Sequence, residues 1–423
     1  MSEDIPPELA RPPESPAAPA PAGPRRAAIA YILVTVVLDV LALGVILPVL
    51  PRMVESFLGG DTATAARVYG LFGTLWAAMQ FVFSPLLGAL SDRFGRRPVI
   101  LLSNFGLGID YILMALAPTL GWLFAGRVIS GIAGASWTTA AAYLADVTRP
   151  EERAAAFGKI GAAWGLGFVL GPALGGVLGG VDPRLPFWVA AALTLLNAAY
   201  GLFVLPESLP RERRGRLDLG RANPLGALGL LRGHRGLPVL ATVAFLFWMA
   251  HQALSSVFVL YTGFRYGWSA TTIGLTLAGV GVCSMIVPAG LVRPIVARLG
   301  ERTALLAGLA LATLGYAGFG LAPSAGWLWA TIPVFTFMGL HGPSMQSLMT
   351  RRVAPTEQGR LQGAYSSIMG ITGMLGPSLF AAVFALFIGP RAGLHLTGAP
   401  FLLAAAFTLA GFFLALRAVR AGP

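Results

Sequence analysis

The chain has few charged residues and almost no cysteine for its length. Its 423 residues include one cysteine, Cys283, and charged residues make up only 11% of the total. A single cysteine excludes an intramolecular disulfide and a cysteine-cluster metal site. The four histidines do not form an HExxH pattern, and the one lysine, Lys159, does not stand in a phosphate-binding loop. These absences predict that the protein is not an enzyme and binds no metal of its own.

Apolar residues take the place of the missing charge. They make up 56% of the chain, and the mean hydropathy is +0.73. A chain of this composition predicts an all-α membrane protein, because each crossing of a bilayer needs about 20 apolar residues. Twelve such runs are present, at 28–50, 68–90, 99–118, 121–144, 155–180, 186–205, 238–262, 271–292, 303–322, 326–349, 361–387 and 396–417.

The basic residues alternate from one side of these spans to the other. The net charge of +12 comes mostly from arginines in every second loop, including seven between Arg211 and Arg235. This placement is explained by the positive-inside rule, so we predict a lipid bilayer and no nucleic acid as the partner of the basic residues. Both termini are then cytoplasmic.

The chain divides into five predicted segments. Residues 1–27 are rich in proline and alanine and predict a disordered cytoplasmic tail. Two six-helix bundles are predicted at 28–205 and 238–417, a solvated cytoplasmic linker without a binding role at 206–237, and a short tail at 418–423.

An internal repeat relates the two bundles. The stretch LAPTLGWLF at 116–124 shares six of nine residues with LAPSAGWLW at 321–329, at a separation of 205. The same offset relates Gly95 to Gly300 and the pair Gly171–Pro172 to Gly376–Pro377. Because each half has an even number of helices, the sequence predicts two parallel six-helix repeats, an architecture of carriers that rock around a central site.

The loop after the second span reads GALSDRFGRRPVILL at 88–102 and concentrates charge between two apolar runs. Asp92 stands at the carboxyl end of a helix, where a negative charge is unfavourable by up to about 1 kcal/mol, so it needs a partner. The neighbouring arginines and the amino end of another helix are candidates. We predict a conformational-switch loop made of Gly88, Asp92, Arg93, Gly95, Arg96 and Arg97.

This loop resembles the signature of the major facilitator superfamily. GRVISGIAGA at 126–135 is similar to the superfamily's arginine motif, and GLGFVLGPALGG at 165–176 resembles its antiporter motif. LDVLALGVILPVLP, GIDYILMAL, YLADVT and FRYGWSA look like the tetracycline/proton antiporter subfamily. The resemblance implies the major facilitator fold, a bacterial cytoplasmic (inner) membrane, and a contact between Asp92 and the start of the eleventh span near Gly359 and Arg360. Cys283 and Ala312 depart from a histidine and an aspartate of that subfamily.

Three charged residues fall at membrane depth and are the proton-coupling candidates. They are Asp39, Asp110 and Arg127. Two acids against one arginine leave one acid without a fixed cation, and such an acid takes up a proton readily. The resemblance places Asp39 and Arg127 in the pathway and Asp110 at its edge, so Asp39 is the expected main proton carrier, although which acid pairs with Arg127 stays open.

Other polar or small residues in the spans supply further candidates. Gln80, His251, Gln252, His341 and Gln346 are candidates for hydrogen bonds to a substrate, with interhelical bonding as the alternative. Gly167, Gly171, Pro172, Gly175 and Gly176 make up the antiporter-motif helix, where small residues allow close packing.

The predicted function is that of a proton-coupled antiporter that exports tetracycline-like or other amphipathic drugs. A proton-coupled or facilitative transporter of a small metabolite is the second hypothesis, and a membrane receptor or enzyme is a third, from another class. No cofactor is expected beyond the proton gradient, with a divalent cation carried along with the drug left open. The expected partners are a small-molecule substrate and lipid, with the monomer as the functional unit.

Overall fold

The computed structural model describes residues 22–215, 223, 225–234, 236–389 and 395–420. All regular structure in these residues is helical. The α-helices are α1 (Ala22–Ile46), α2 (Leu50–Phe57), α3 (Thr62–Phe94), α4 (Arg96–Leu116), α5 (Leu120–Ala133), α6 (Trp137–Val147), α7 (Arg153–Val181), α8 (Leu185–Val204), α9 (Gly229–Gly233), α10 (Leu237–Tyr266), α11 (Ala270–Ile286), α12 (Val292–Leu321), α13 (Ala325–Thr336), α14 (His341–Thr350), α15 (Gln358–Ile388) and α16 (Ala399–Arg420).

The helices match all twelve predicted spans, and the predicted fold class is confirmed. Within the described residues, ten stretches are long and apolar enough to cross a membrane. The eighth span, α11, is shorter and continues as a π-helical turn at Val287–Leu291. The tenth is divided between α13 and α14. Apolar side chains on the outside, such as Phe203 at 89% exposure, suit a multi-pass protein surrounded by lipid.

Several predicted boundaries were wrong by a few residues. Helix α1 begins at Ala22, inside the predicted tail, and α16 runs to Arg420, inside the other. The stretch after the first span, expected to be a loop, forms α2, because Pro51 occupies the first turn of an amphipathic helix. The remainder of the predicted tails, 1–21 and 421–423, and the linker residues 216–222, 224 and 235 lie outside the described residues.

The repeat is visible in the backbone. A 3₁₀ turn at Gly134–Ser136 joins α5 to α6, and another at Phe337–Leu340 joins α13 to α14, at nearly the same repeat position. Gly95 and Gly300, which are 205 residues apart, both have a positive φ, at 107° and 74°, and nearly equal ψ values of 157° and 160°. Only glycine adopts such a backbone without strain, so the two sharp turns into α4 and within α12 are equivalent.

The two halves meet mainly at one end of the bundle. We call the end with Asp92 the loop end and the end with Asp61 the far end. Near the far end, α7 packs closely on α11, where the Thr271 hydroxyl donates to the Gly176 carbonyl oxygen at 3.1 Å. On the other side α3 packs on α15, and the Thr74 hydroxyl donates to the Met374 carbonyl oxygen at 2.7 Å. The arrangement is therefore closed at the far end.

Candidate functional site: the central cavity and the loop beside it

A cavity of about 510 Å³ lies between the two halves, within the range of small-molecule sites. Helices of both halves line it, including α1, α3, α7, α10 and α15. Trp248 and Gly342 also line a second cavity of about 590 Å³, which extends to Thr350 and Arg351 at the loop end. The central cavity is thus closed by helix packing toward the far end, and the second cavity lies on its loop-end side.

Aromatic side chains form much of the cavity wall. The N-terminal half contributes Tyr69, Phe72, Trp76, Trp164 and Phe168, and the C-terminal half contributes Phe247 and Trp248. The rings of Trp164 and Phe168 stack at 5.6 Å between centroids. The Trp248 indole donates a hydrogen bond to the Tyr365 hydroxyl at 3.0 Å, which fixes the indole between the two cavities. Such a wall suits a flat, largely apolar molecule with a few polar groups.

Arg127 lies on α5 and is the charged residue that lines the cavity within the described part of the chain. Its side chain is buried, one guanidinium nitrogen contacts the Met114 sulfur at 3.5 Å, and its Nε has no hydrogen-bond partner. Among the described residues, no carboxylate oxygen lies within 4.0 Å of this guanidinium. The cavity therefore holds a cation that no acid neutralises by direct contact.

Asp110 lies on α4 behind the cavity wall. It is fully buried, and its Oδ1 lies against Gly126 of α5, where an added Cβ would come within 2.7 Å. Neither carboxylate oxygen has a partner at hydrogen-bonding distance and angle in the described structure, although the Arg127 charge and the Ser130 hydroxyl act on it. Its place relative to the transport pathway and its role in coupling stay predictions.

Asp39 lies on α1, one turn toward the loop end from Leu43, which lines the cavity. Its Oδ1 is buried without a hydrogen-bond partner. Tyr111 of α4 lies close enough to Asp39 and Asp110 to interact electrostatically with both. Asp39 is therefore an unpaired acid beside the cavity rather than in its wall, and its assignment as the main proton carrier stays a prediction.

The five polar candidates for substrate contact are spread over several environments. His251 and Gln252 line the central cavity, and Gln346 lines the second one. Gln80 does not line the central cavity and packs against Gly134, where an added Cβ would lie 2.9 Å from its amide nitrogen. His341 is fully buried behind Phe247, and its ring stacks on the phenyl ring at 3.6 Å between centroids.

The glycines of the antiporter-motif helix face two different neighbours. Gly167, Gly171 and Gly175 follow one another at intervals of four residues and pack on α1, where an added Cβ on Gly171 would lie 2.7 Å from the Gly44 Cα. Gly176 faces α11 of the other half, and an added Cβ there would lie 2.8 Å from the Gly274 Cα. This helix consequently forms one side of the far-end seal.

Pro172 sits inside α7 and contacts both of these neighbours. Its Cδ lies against Gly44 of α1, and its carbonyl oxygen lies against Gly274 of α11. In the repeat, Pro377 sits inside α15 and packs on Gly73 of α3. Each proline lacks the N–H of a helical hydrogen bond, so both halves have a helix that can bend next to the contact between them.

Asp92 in the 88–102 loop pairs with its neighbour Arg96 at 2.6 Å. The Arg96 guanidinium also donates to the Ser91 hydroxyl at 2.7 Å and to Asp146 at 3.3 Å. The contact to the start of the eleventh span, expected from the resemblance, is absent among the described residues, and the position of an added Cβ at Gly359 has no atom within 4 Å. In this conformation Asp92 pairs within its own loop instead.

The rest of the switch-loop candidates hold the loop's shape. The Gly88 carbonyl oxygen accepts a hydrogen bond from the Ser91 hydroxyl at 2.7 Å. Arg97 donates to the Leu202 carbonyl oxygen at 2.6 Å, and the Arg93 guanidinium lies 5.4 Å from the ring centre of Phe94.

The start of the linker also binds this loop, which sequence reasoning missed. Glu207 accepts a hydrogen bond from the Arg96 backbone N–H at 2.9 Å, at the positive end of α4. Arg214 lies 3.7 Å from the Glu207 carboxylate, and the Gly215 N–H donates to the Asp92 carbonyl oxygen at 3.2 Å. The linker therefore fastens the loop, contrary to the expectation of a solvated segment without a binding role.

The repeat offset identifies a matching ion pair in the other half. Glu301 and Arg351, whose side chains are 2.8 Å apart, stand 205 positions after Arg96 and Asp146. The base comes first along the chain in the N-terminal pair, whereas the acid comes first in the C-terminal pair. This offset, applied to charged residues, was the signal in the sequence that would have found Asp146.

The two positions that depart from the tetracycline subfamily both lie in the C-terminal half. Ala312 on α12 is fully buried in the C-terminal core, and Cys283 on α11 is half-buried beside Ser284, which lines the cavity. Among the described residues, no three His, Cys, Asp or Glu side chains converge in a way that would hold a metal ion.

Sequence comparison finds relatives along most of the chain. The sequence profile of the family described as Major Facilitator Superfamily matches residues 32–377. The chain is 38% identical to the class C tetracycline resistance protein of Escherichia coli, over 85% of this chain and 90% of the relative. It is 34% identical to the class B protein of the same organism, over 83% and 87%.

Solved structures of transporters share the arrangement of helices. A crystal structure of the human organic anion transporter MFSD10 (TETRAN) matches with a TM-score of 0.68 and 26% identity, covering 93% of this chain and 99% of that one. A bacterial homolog of the human lysosomal transporter Spinster, in an inward-facing and unoccupied conformation, matches with a TM-score of 0.76 and 18% identity, covering 95% and 98%. The second likeness concerns the fold alone.

Proposed function

Since the chain belongs to the Major Facilitator Superfamily and, within it, to the family of the tetracycline resistance proteins, we propose that it is a proton-coupled antiporter that exports tetracycline-like or other amphipathic drugs. The observation that carries this proposal is the aromatic cavity between the halves, which the packing of α7 on α11 and of α3 on α15 closes toward the far end. A rigid aromatic wall with few polar groups fits a flat molecule of this class.

The orientation of the proposal follows from charge. Arginines are concentrated in the loops at the loop end, and the positive-inside rule puts that end in the cytoplasm of a bacterium, with the protein in its inner membrane. The conformation described here then faces inward, ready to take a drug from the cytoplasm. A divalent cation that travels with the drug would be cargo, and the monomer would be the working unit.

Proton coupling would depend on the acids near Arg127. Asp39 and Asp110 both have buried carboxylate oxygens without hydrogen-bond partners, so each can gain a proton without losing a bond. When a proton leaves, the Arg127 cation in the cavity wall attracts the carboxylate, and the balance between the two conformations shifts. Export of a drug would thereby be linked to entry of protons.

Everted membrane vesicles with an imposed pH gradient test this function directly. The wild type should accumulate a tetracycline against its gradient, whereas Asp39→Asn should retain downhill exchange and lose accumulation by at least about tenfold, an energetic effect near 1.4 kcal/mol. Asp110→Asn is the matched variant, with the same chemical change at the edge of the site. Normal accumulation by both variants would refute proton coupling through this half, and a loss confined to Asp110→Asn would reverse the two roles.

A susceptibility panel identifies the substrate. Cells that lack their own drug pumps should become resistant to tetracyclines or to other flat amphipathic drugs when they express the chain. The same panel with the Asp39→Asn variant serves as the control for resistance unrelated to transport. Resistance to no drug in the panel, with the protein present in the membrane, would contradict drug export.

A further inference from the structure

Two histidines lie together at the cavity in the C-terminal half. His251 on α10 lines the cavity, and its ring packs edge-on to the Trp248 ring at 5.2 Å. His341, at the start of α14, is fully buried, and its ring stacks face to face on Phe247 with an interplanar angle of 10°. Phe247 precedes His251 by one helical turn, and its ring is nearly parallel to that of His251 as well, at 6.5 Å.

Packing alone does not explain why nitrogens of these two imidazole rings lack hydrogen-bond partners. Both ring nitrogens of His341 and the Nδ1 of His251 are buried without a hydrogen-bond partner in the described structure. A neutral imidazole always carries one N–H, and leaving that donor unpaired in the interior is unfavourable. A core histidine that only filled space would be expected to donate to a nearby carbonyl oxygen.

The absence of hydrogen-bond partners also bears on the protonation state of the two histidines. A charged imidazole carries two N–H donors, and at His341 neither would find an acceptor. The described conformation, open at the loop end, therefore favours a neutral pair. A conformation that brings an acceptor or water to these nitrogens would favour the charged form.

Few charges act on the pair. The titratable side chain that acts on His341 is His251 itself. From α15 the titratable neighbour is Tyr365, which is bound to Trp248; α3 brings Tyr69 and α5 brings Arg127 to the opposite wall. Helix α12, which packs on α14, contributes the buried Tyr316. No acid lines the cavity among the described residues, so a proton added here would not be cancelled by a carboxylate.

We propose that His251 and His341 form a second proton site of the carrier, in the C-terminal half, an inference that rests on the proposed drug/proton exchange. The pair holds one proton when the cavity opens to the far end and none in the conformation described here. The proton adds to a ring nitrogen as a new N–H bond, and that bond breaks again to water at the loop end. Because each histidine acts electrostatically on the other and like charges repel, the pair takes up one proton.

Phe247 gives the charged form a specific advantage. The face of an aromatic ring attracts a cation, and more strongly when the cation is shielded from water. His341 already lies flat on this face. A protonated imidazole would therefore be stabilised by the ring whenever its N–H groups found acceptors.

Histidine-selective ¹⁵N NMR tests the proposal on the wild-type protein, because the chain has only four histidines, His234, His251, His341 and His395. His251→Gln and His341→Gln serve to assign the signals. We expect the pair to change between neutral and charged forms between about pH 5 and 8, the range natural to histidine, and drug to shift that change toward lower pH. Signals of His251 and His341 that stay neutral throughout, with and without drug, would overturn the proposal.

Proton release on drug binding gives the second readout. Purified wild-type protein in weak buffer should release protons when a tetracycline is added, and each of the two Gln variants should release about one proton fewer per drug bound. His395→Gln, the same change at an exposed histidine, should match the wild type. If the wild type releases no proton and accumulates no drug, the drug/proton exchange itself fails; if it does both and the Gln variants are unchanged, only the second proton site fails.

Discussion

The two halves share a backbone and differ in their charges. Gly95 and Gly300 make the same turn, yet Arg96 pairs with Asp146 in one half while Glu301 pairs with Arg351 in the other. At membrane depth the N-terminal half has two acids and an arginine, and the C-terminal half has two unpartnered histidines. The comparison teaches that helix packing defines the repeat, whereas the ionisable groups can be exchanged without altering it.

The largest effect on transport is expected where the backbones of α7 and α11 are in direct contact between the halves. Gly274→Ala on α11 would place a Cβ against the Pro172 carbonyl oxygen and 2.7 Å from the Gly176 Cα. The far end could then not close, and transport should fall by at least about tenfold. Gly279→Ala on the same helix, where an added Cβ has no atom within 4 Å, should transport normally.

The equivalent contact in the other pair of helices sharpens this test. Gly70→Ala on α3 would place a Cβ against Ala381 and 2.9 Å from the Pro377 carbonyl oxygen of α15. If the two seals are equivalent, Gly70→Ala and Gly274→Ala should reduce vesicle transport to a similar extent. Full activity of one variant would mean that the other seal closes the far end by itself.

The second largest effect on transport is expected at Asp92. The residue 205 positions later, in the C-terminal half, is the uncharged Ala297. Asp92→Asn breaks the 2.6 Å pair with Arg96 and should lower transport severely, by about tenfold, while expression stays near normal. Asp146→Asn removes only one partner of Arg96 and should have a smaller effect. Equal transport by wild type and a normally inserted Asp92→Asn protein would reduce the loop to a topology signal.

A third, smaller effect is expected for the reversed ion pair. Glu301→Arg alone should lower the free energy of unfolding by about 1 kcal/mol or less, because the Arg351 side chain is 71% exposed and water screens the pair. Adding Arg351→Glu recreates the polarity of the N-terminal half and should restore stability. Failure of the double variant to recover, measured by thermal unfolding in detergent, would show that polarity matters at this site.

The smallest effect is expected at the N-terminal caps of α3 and α11, because one cap residue is an acid and the other is not. Two hydrogen bonds from Thr64 hold the pKa of the exposed Asp61 carboxyl below its usual value, whereas the equivalent cap is the uncharged Ser269. A lowered pKa stabilises the fold above the unfolded pKa, about 3.9, and the contribution is lost as the pH falls through the folded value. Amide exchange at the start of α3, and not of α11, should therefore speed up relative to neighbouring helices in acid. The same response in Asp61→Asn would contradict this origin.

The sequence predicted the fold well because apolar runs of bilayer length are strong signals. The twelve spans, the repeat and the far-end glycines followed from composition and spacing. Helix α2 was missed because its eight residues follow the first span after a brief turn. Positions of charges at membrane depth were also readable, since such residues are rare.

The site itself was only partly predictable. Spacing along a helix does not say which face meets the cavity, so Gln80 and His341 were grouped with His251 although neither lines it. The pairing of Arg96 with Asp146 and Glu207 joins segments far apart in sequence, and only the packed structure brings them together. Sequence also does not show which conformation a carrier adopts, and in the one described Asp92 pairs with Arg96.

The seal between α7 and α11 also bears on the speed of the carrier. Around Gly176 and Gly274 no side chain stands between the two backbones, so separating them needs no rearrangement of rotamers. What is lost is dispersion contact, about 0.1–0.2 kcal/mol for each pair of atoms, together with the hydrogen bond from the Thr271 hydroxyl to the Gly176 carbonyl oxygen. Opening therefore meets little resistance from side chains at this point, and the Thr271 hydrogen bond is a polar contact that has to break before α7 and α11 separate.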